Sequence, residues 1–113
     1  MALPLNVFQT VTYVAPSEPV GIYTAPVGYS GVLLLAQATN VDSPAHTVSL
    51  DHVRVTAGVA VTTPVVKSMA VQGHDTINLT QGKLVLEAGD TLKLSASNHN
   101  HVKFIGSILE TLN

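Results

Sequence analysis

Between Lys83 and Ser97, the residues Leu84, Leu86, Leu92, Leu94 and Ala96 fall on alternate positions, and Gly89-Asp90 interrupts the series midway. A period of two sends successive side chains to opposite faces, as in a strand with one dry face and one wet face. Gly89 is free to take a positive φ, and the Asp90 carboxylate can bond nearby backbone, so the pair reads as a tight hairpin turn. Lys83, Glu87, Asp90 and Lys93 supply four of the twelve charged residues (five basic plus seven acidic). This concentration predicts a hairpin at a solvent-facing edge.

Turn signals recur along the chain at the spacing of a sandwich or barrel. Strands are predicted over 5–14, 20–24, 31–39, 46–55, 65–71, 76–79, 83–87, 91–97 and 102–112, with 57–64 ambiguous. In 46–55, Val48 and Leu50 share one face while Val53 and Val55 share the other, and a bulge near Asp51-His52 would switch the parity. No segment combines a 3.6-residue period with helix caps. The expected class is all-β: an antiparallel, jelly-roll-like β-sandwich of eight or nine short strands with almost no helix. Residues 1–113 read as one domain. Residues 1–19 are either its first strand or an extended N-terminal arm. Phe8 and Phe104 read as core.

Only 11% of the residues are Asp, Glu, Lys or Arg, against about 25% in ordinary soluble domains. Interface cores are depleted in charge, and a near-neutral exterior favours association. Much of this surface is therefore expected to face other protein, above all the charge-poor stretch from Val20 to Val41. The net charge of −2 lacks the basic footprint of a nucleic-acid binder. The uncharged stretch 19–41 is broken by Pro19, Gly21, Pro26, Gly28 and Gly31 and does not read as a membrane span. The N-terminus lacks the basic and apolar regions of a cleaved secretion signal. Cysteine is absent, so no disulfide framework exists.

Candidate chemistry is sparse. His99 and His101 flank Asn100, and in an extended segment positions i and i+2 share a face, so two imidazoles could hold one metal ion. The spacing is that of the cupin His-x-His, yet the next acid, Glu110, lies nine residues on. A solvated loop is the simpler expectation, and no metal or cofactor is predicted. Asp42, Asp51, Asp75 and Asp90 are too scattered for a calcium loop and read as turn and cap residues. His46, His52 and His74 lie near Ser43, Ser49 and Asp75 in sequence, but no nucleophile elbow is present, so no catalytic residue and no enzyme activity are predicted. Tyr13, Tyr23 and Tyr29 could line a small glycan-binding patch.

Three blocks carry a family resemblance: Ile22–Asn40, with its Tyr-Thr-x-Pro-x-Gly turn, apolar strand and closing Asn; Leu84–Leu92; and Gly106–Leu112. Together they resemble small β-sandwich or jelly-roll structural proteins in the virions of tailed bacteriophages. The resemblance implies a virion component, foremost a capsid decoration (cement) protein on the capsid surface, otherwise a neck, tail or fibre part. The implied partners are the major capsid protein or other virion proteins and further copies of the chain, as a dimer or trimer, with no nucleic acid and no membrane. The interface candidates are Leu3, Leu5, Val7 and Phe8 of the N-terminal segment and Tyr23 and Tyr29 of the charge-poor stretch. A glycan- or receptor-binding module is the alternative from another class.

Overall fold

The computed structural model describes residues 6–113. Nine strands run through it: β1 (Asn6–Val14), β2 (Val20–Thr24), β3 (Tyr29–Asn40), β4 (His46–Thr56), β5 (Val59–Val71), β6 (Thr76–Asn78), β7 (Leu84–Leu86), β8 (Thr91–Ala96) and β9 (Val102–Leu112). The described residues contain no helix. One sheet has the order β1-β9-β3-β6, with β7 also paired to β3; the other has the order β2-β8-β4-β5. Every pairing is antiparallel.

The pairs nest. β1 lies against β9, β2 against β8, β3 against β7 and β6, and β4 against β5. A chain folded into one long antiparallel ribbon and then rolled up gives this order, which is the jelly roll. The first sheet will be called the β9 sheet and the second the β8 sheet.

Alternation decides which side chains fill the space between them. β9 buries Val102, Phe104 and Ile108, β8 buries Leu92, Leu94 and Ala96, β4 buries Val48 and Leu50, and β3 buries Leu33, Ala36 and Ala38. These rows meet as one apolar cluster. The partners on the outward parity of β9, such as Lys103 and Ile105, stay exposed.

Three expectations are corrected. β7 belongs to the β9 sheet and β8 to the opposite sheet, so Glu87–Asp90 is a crossing between layers, and no hairpin forms there. Gly89 does turn with φ 89°, but Asp90 is only 2% exposed. Two backbone bonds fix the crossing to the end of β2, Gly89 N to Ala25 O and Ala25 N to Asp90 O, each 2.9 Å. The ambiguous segment 57–64 is a hairpin turn followed by strand. Ala57 and Gly58 both have positive φ (52° and 79°), the geometry of a tight type I′ turn, and Pro64 is tolerated because β5 is an edge strand.

The bulge lies in β5 rather than β4. From Val48 to Leu50 the partner retreats from Met69 to Val66, and from Leu50 to Asp51 it retreats from Val66 to Pro64. The extra residues are thus in β5, while β4 keeps an unbroken register with β8. Leu50 and His52 therefore share a parity, and His52 points into the sandwich end.

Burial predicts the cost of truncation. Leu94→Ala is expected to lower stability by about 2–5 kcal/mol, whereas Val85→Ala, on the outward side of β7, should change it by no more than about 1 kcal/mol. Urea unfolding midpoints of the two variants check this.

Candidate functional site

The outward side of the β9 sheet carries almost no charge, and an apolar row crosses it among uncharged polar residues such as Thr10, Thr12, Gln37 and Thr39. The registers place Phe8 opposite Leu109, Leu109 opposite Val32, and Val32 opposite Val85. These four side chains form one row from β1 to β7, with Phe8 76% and Val85 56% exposed. A register shift in β3 between Leu33 and Leu35 leaves both Leu34 and Leu35 on the surface beside that row. Ile105 lies on the same side. Among the strand residues of this sheet only Lys103 and Glu110 are charged, and Glu110 is buried.

The β8 sheet is different. Its outward side carries Asp51 opposite Lys93, an opposite-charge pair of the kind that suits a wet sheet surface. A second apolar surface sits at the tip of the β4–β5 hairpin, where Val55, Val59 and Val61 are exposed and residues 55–66 carry no charge. Contiguous exposed apolar surface of this kind is found at docking sites, ligand grooves and aggregation-prone surfaces.

The structure sorts the sequence-derived interface candidates. Leu3 and Leu5 lie outside the described residues. Val7 is half-buried and pairs with Glu110 on the inward parity. Phe8, read as core from its aromatic character, takes the opposite parity and joins the outward row. Tyr29 is half-buried at the start of β3. Tyr23 packs against the core, and its hydroxyl donates to Glu110 Oε2 at 2.5 Å. That bond links β2 of one sheet to β9 of the other. Burial and the Glu110 carboxylate push the Tyr23 phenol well above its ordinary value. Val32, Val85 and Leu109 went unnoticed in the sequence because each looks like core until the registers give its face.

The tyrosines do not form the glycan patch considered from sequence. Tyr13 pairs with Phe104 and Tyr29 with Leu112, eight residues apart on β9, which is roughly 26 Å of strand.

Two clusters of ionisable groups close the ends of the sandwich. At one end Asp90 accepts from Arg54 Nε at 3.0 Å, from Arg54 Nη2 at 2.7 Å and from the Glu87 backbone N–H at 2.9 Å. His52 Nε2 lies 2.9 Å from the same carboxylate, and Arg54 also reaches Glu87 Oε2 at 2.9 Å. The Arg54 guanidinium, more than any other group, holds the Asp90 carboxyl far below the usual carboxylate range against the opposing effect of burial.

At the other end Asp42 Oδ2 lies 3.0 Å from His46 Nε2 and 3.5 Å from His101 Nδ1. The two imidazoles stack with centroids 5.1 Å apart and planes 9° from parallel. Hydrogen bonds from His46 and from the Ser43 backbone N–H hold the Asp42 carboxyl below its ordinary value. His99 is not part of this group. Asn100 takes φ 70°, so the chain turns between His99 and His101, and the shared face that an extended segment would have given them is lost. His46 and His52 pair with aspartates rather than with the serines near them in sequence.

Neither a family model nor a curated protein sequence matches this chain. Solved structures do match in fold. The chain is similar to part of the structure of the Gx strain of infectious bursal disease virus, with a TM-score of 0.60 and 11% identity over 96% of this chain and 32% of that one. It is similar to part of the T13 viral particle of the same virus, with a TM-score of 0.56 and 9% identity over 97% of this chain and 32% of that one. It also resembles part of that virus's VP2 subviral particle, with a TM-score of 0.51 and 11% identity over 96% and 33%. The chain thus spans about a third of the length of these viral chains. At such low identity the likeness is one of fold.

The Asp90 cluster generates a stability prediction. Asp90→Asn should cost about 2 kcal/mol at neutral pH, a modest value because Arg54 is 41% exposed. A depressed folded pKa contributes stability that is fully present above the unfolded value of about 4 and is lost as pH falls through the folded value. Unfolding midpoints measured between pH 6 and pH 2 should therefore fall more steeply for the parent chain than for Asp90→Asn.

Proposed function

We propose that this chain is a virion structural protein that docks through the outward side of its β9 sheet. The observation that carries this reading is the row Phe8–Leu109–Val32–Val85, crossing a sheet side on which Lys103 is the one charged strand residue among those described. A jelly roll already buries its core between its two sheets, so an apolar row on the outward side has no internal partner. Its burial comes from another subunit, at about 25 cal/mol for each Å² of apolar surface removed from water.

The fold supports the same reading. Jelly rolls build many viral shells, and several solved chains similar to this one belong to particles of infectious bursal disease virus. Within that class we favour the finer role of a capsid decoration protein. One sheet side with a single charge, paired with one charged side, suits a subunit that lies on a shell with its other side in solvent. Its partners are then the major capsid protein or another virion protein, together with further copies of itself. A protein that binds the assembled lattice but not its free subunits stabilises the lattice by linkage. The role is structural and not catalytic.

Quantitative mass spectrometry of gradient-purified particles of the virus that encodes the chain tests this reading. The expected result is a fixed copy number per particle, high for a shell protein and low for a neck, tail or fibre part. Absence from the particles, with the protein abundant in the same infected cells, overturns it. Phe8→Asp combined with Val85→Asp should abolish incorporation while leaving the circular-dichroism spectrum of the isolated protein unchanged.

A further inference from the structure

Three side chains with metal-ligand chemistry converge where β3 passes to β4 and β8 passes to β9. We propose that Asp42, His46 and His101 form a binding site for a divalent transition-metal ion of the zinc class. The ligand atoms are Asp42 Oδ2, His46 Nε2 and His101 Nδ1, all within 4.8 Å of one another. A tetrahedral ion with ligands about 2.0–2.1 Å away holds neighbouring ligand atoms roughly 3.3 Å apart. The Asp42–His46 and Asp42–His101 pairs, at 3.0 and 3.5 Å, bracket that spacing. Two imidazoles and one carboxylate select zinc, nickel, cobalt or copper over calcium or magnesium, which prefer all-oxygen shells.

The surroundings position these atoms. Asn40 is fully buried. Its Nδ2 donates to Pro44 O at 2.8 Å and to Val71 O at 3.1 Å, while its Oδ1 accepts the Asp42 backbone N–H at 2.9 Å. The Ser43 backbone N–H donates to Asp42 Oδ1 at 2.9 Å, which orients the carboxylate and leaves Oδ2 for the rings. Bonds of this sort from neighbouring groups orient the ligands in metal sites. Val41 N donates to His101 O at 2.9 Å and ties the two loops together. Gly73 backs the Asp42 loop so closely that a Cβ there would lie 1.8 Å from Ser43 O.

The two histidines divide the work. His46 is 96% buried and fixed, while the His101 side chain is 43% exposed. Parallel rings cannot both aim a lone pair at one point, so binding turns the His101 ring out of its stack against a stationary His46. That movement leaves the outer coordination position open to solvent, where a water completes the tetrahedron. The bound ion would join the β3–β4 loop, which connects the two sheets, to the loop entering β9. It would therefore close this end of the sandwich.

The test uses the full untagged chain, stripped with a chelator and titrated with zinc chloride alone. Isothermal titration should show one ion per chain, and saturating zinc should raise the melting temperature, as a ligand of the native state must. His101→Ala, at a partly exposed position that the fold tolerates, should weaken binding by at least about tenfold. His99→Ala, two residues away, should bind as the parent does. Cobalt in place of zinc should give the visible d–d bands of a tetrahedral site in the parent and lose them in His101→Ala. Absence of stoichiometric zinc binding, or equal weakening by His99→Ala and His101→Ala, overturns the proposal.

Discussion

Two sheets can share one dry core only if every inward position is apolar or fully partnered, and among the described residues four polar side chains fall on buried positions: Asn40, His46, Asp90 and Glu110. Each has a hydrogen-bond partner. Asn40 bonds the backbone at Pro44 and Val71, His46 bonds Asp42, Asp90 takes Arg54 and His52, and Glu110 takes Tyr23. Burying any of them without its partner would cost more than the bond returns. Three of the four bonds also join separate elements, so the requirement that seals the core also fixes the crossings between sheets. The apolar rows supply the driving force, and these polar contacts select the one register in which all of them are satisfied.

That division explains how much was legible in the sequence. The period-two rows of β7 and β8 were plain, because alternation is a local property of a strand with one buried side. Strand identity, antiparallel pairing and the absence of helix followed from it. Sheet membership did not. Gly89-Asp90 has the chemistry of a hairpin turn, and the same chemistry serves equally for a crossing between layers, which is where the fold uses it. Ala57-Gly58 makes a tight hairpin without the Asn or Asp that usually announces one. The β4 parity switch pointed to an irregularity, but its site in β5 emerged only when both strands were aligned.

The sites were harder still. Asp42, His46 and His101 are brought together by loops from opposite ends of the chain, so their spacing in sequence carries no signature, and the visible His99-Asn-His101 pair was a decoy created by an assumed extended backbone. Phe8 shows the opposite difficulty. Its type says core, and only its pairing with Leu109 reveals that it faces outward. Low charge content was the exception, since it is a global property readable without a fold. What the structure adds is its distribution: the β8 sheet keeps Asp51 and Lys93 on its outward side, and the β9 sheet keeps almost no charge on its own. The two outward sides are therefore asymmetric, and the proposed docking uses the one with almost no charge.

The account therefore stands on the outward side of the β9 sheet being covered by another protein in the working state. A residue-level reconstruction of the particle proposed to carry the chain measures this directly. The account predicts that Phe8, Val32, Val85 and Leu109 pack against a neighbouring subunit while Asp51 and Lys93 face solvent. A particle in which that apolar row lies open to water, with the chain attached through its charged β8 side, would contradict it.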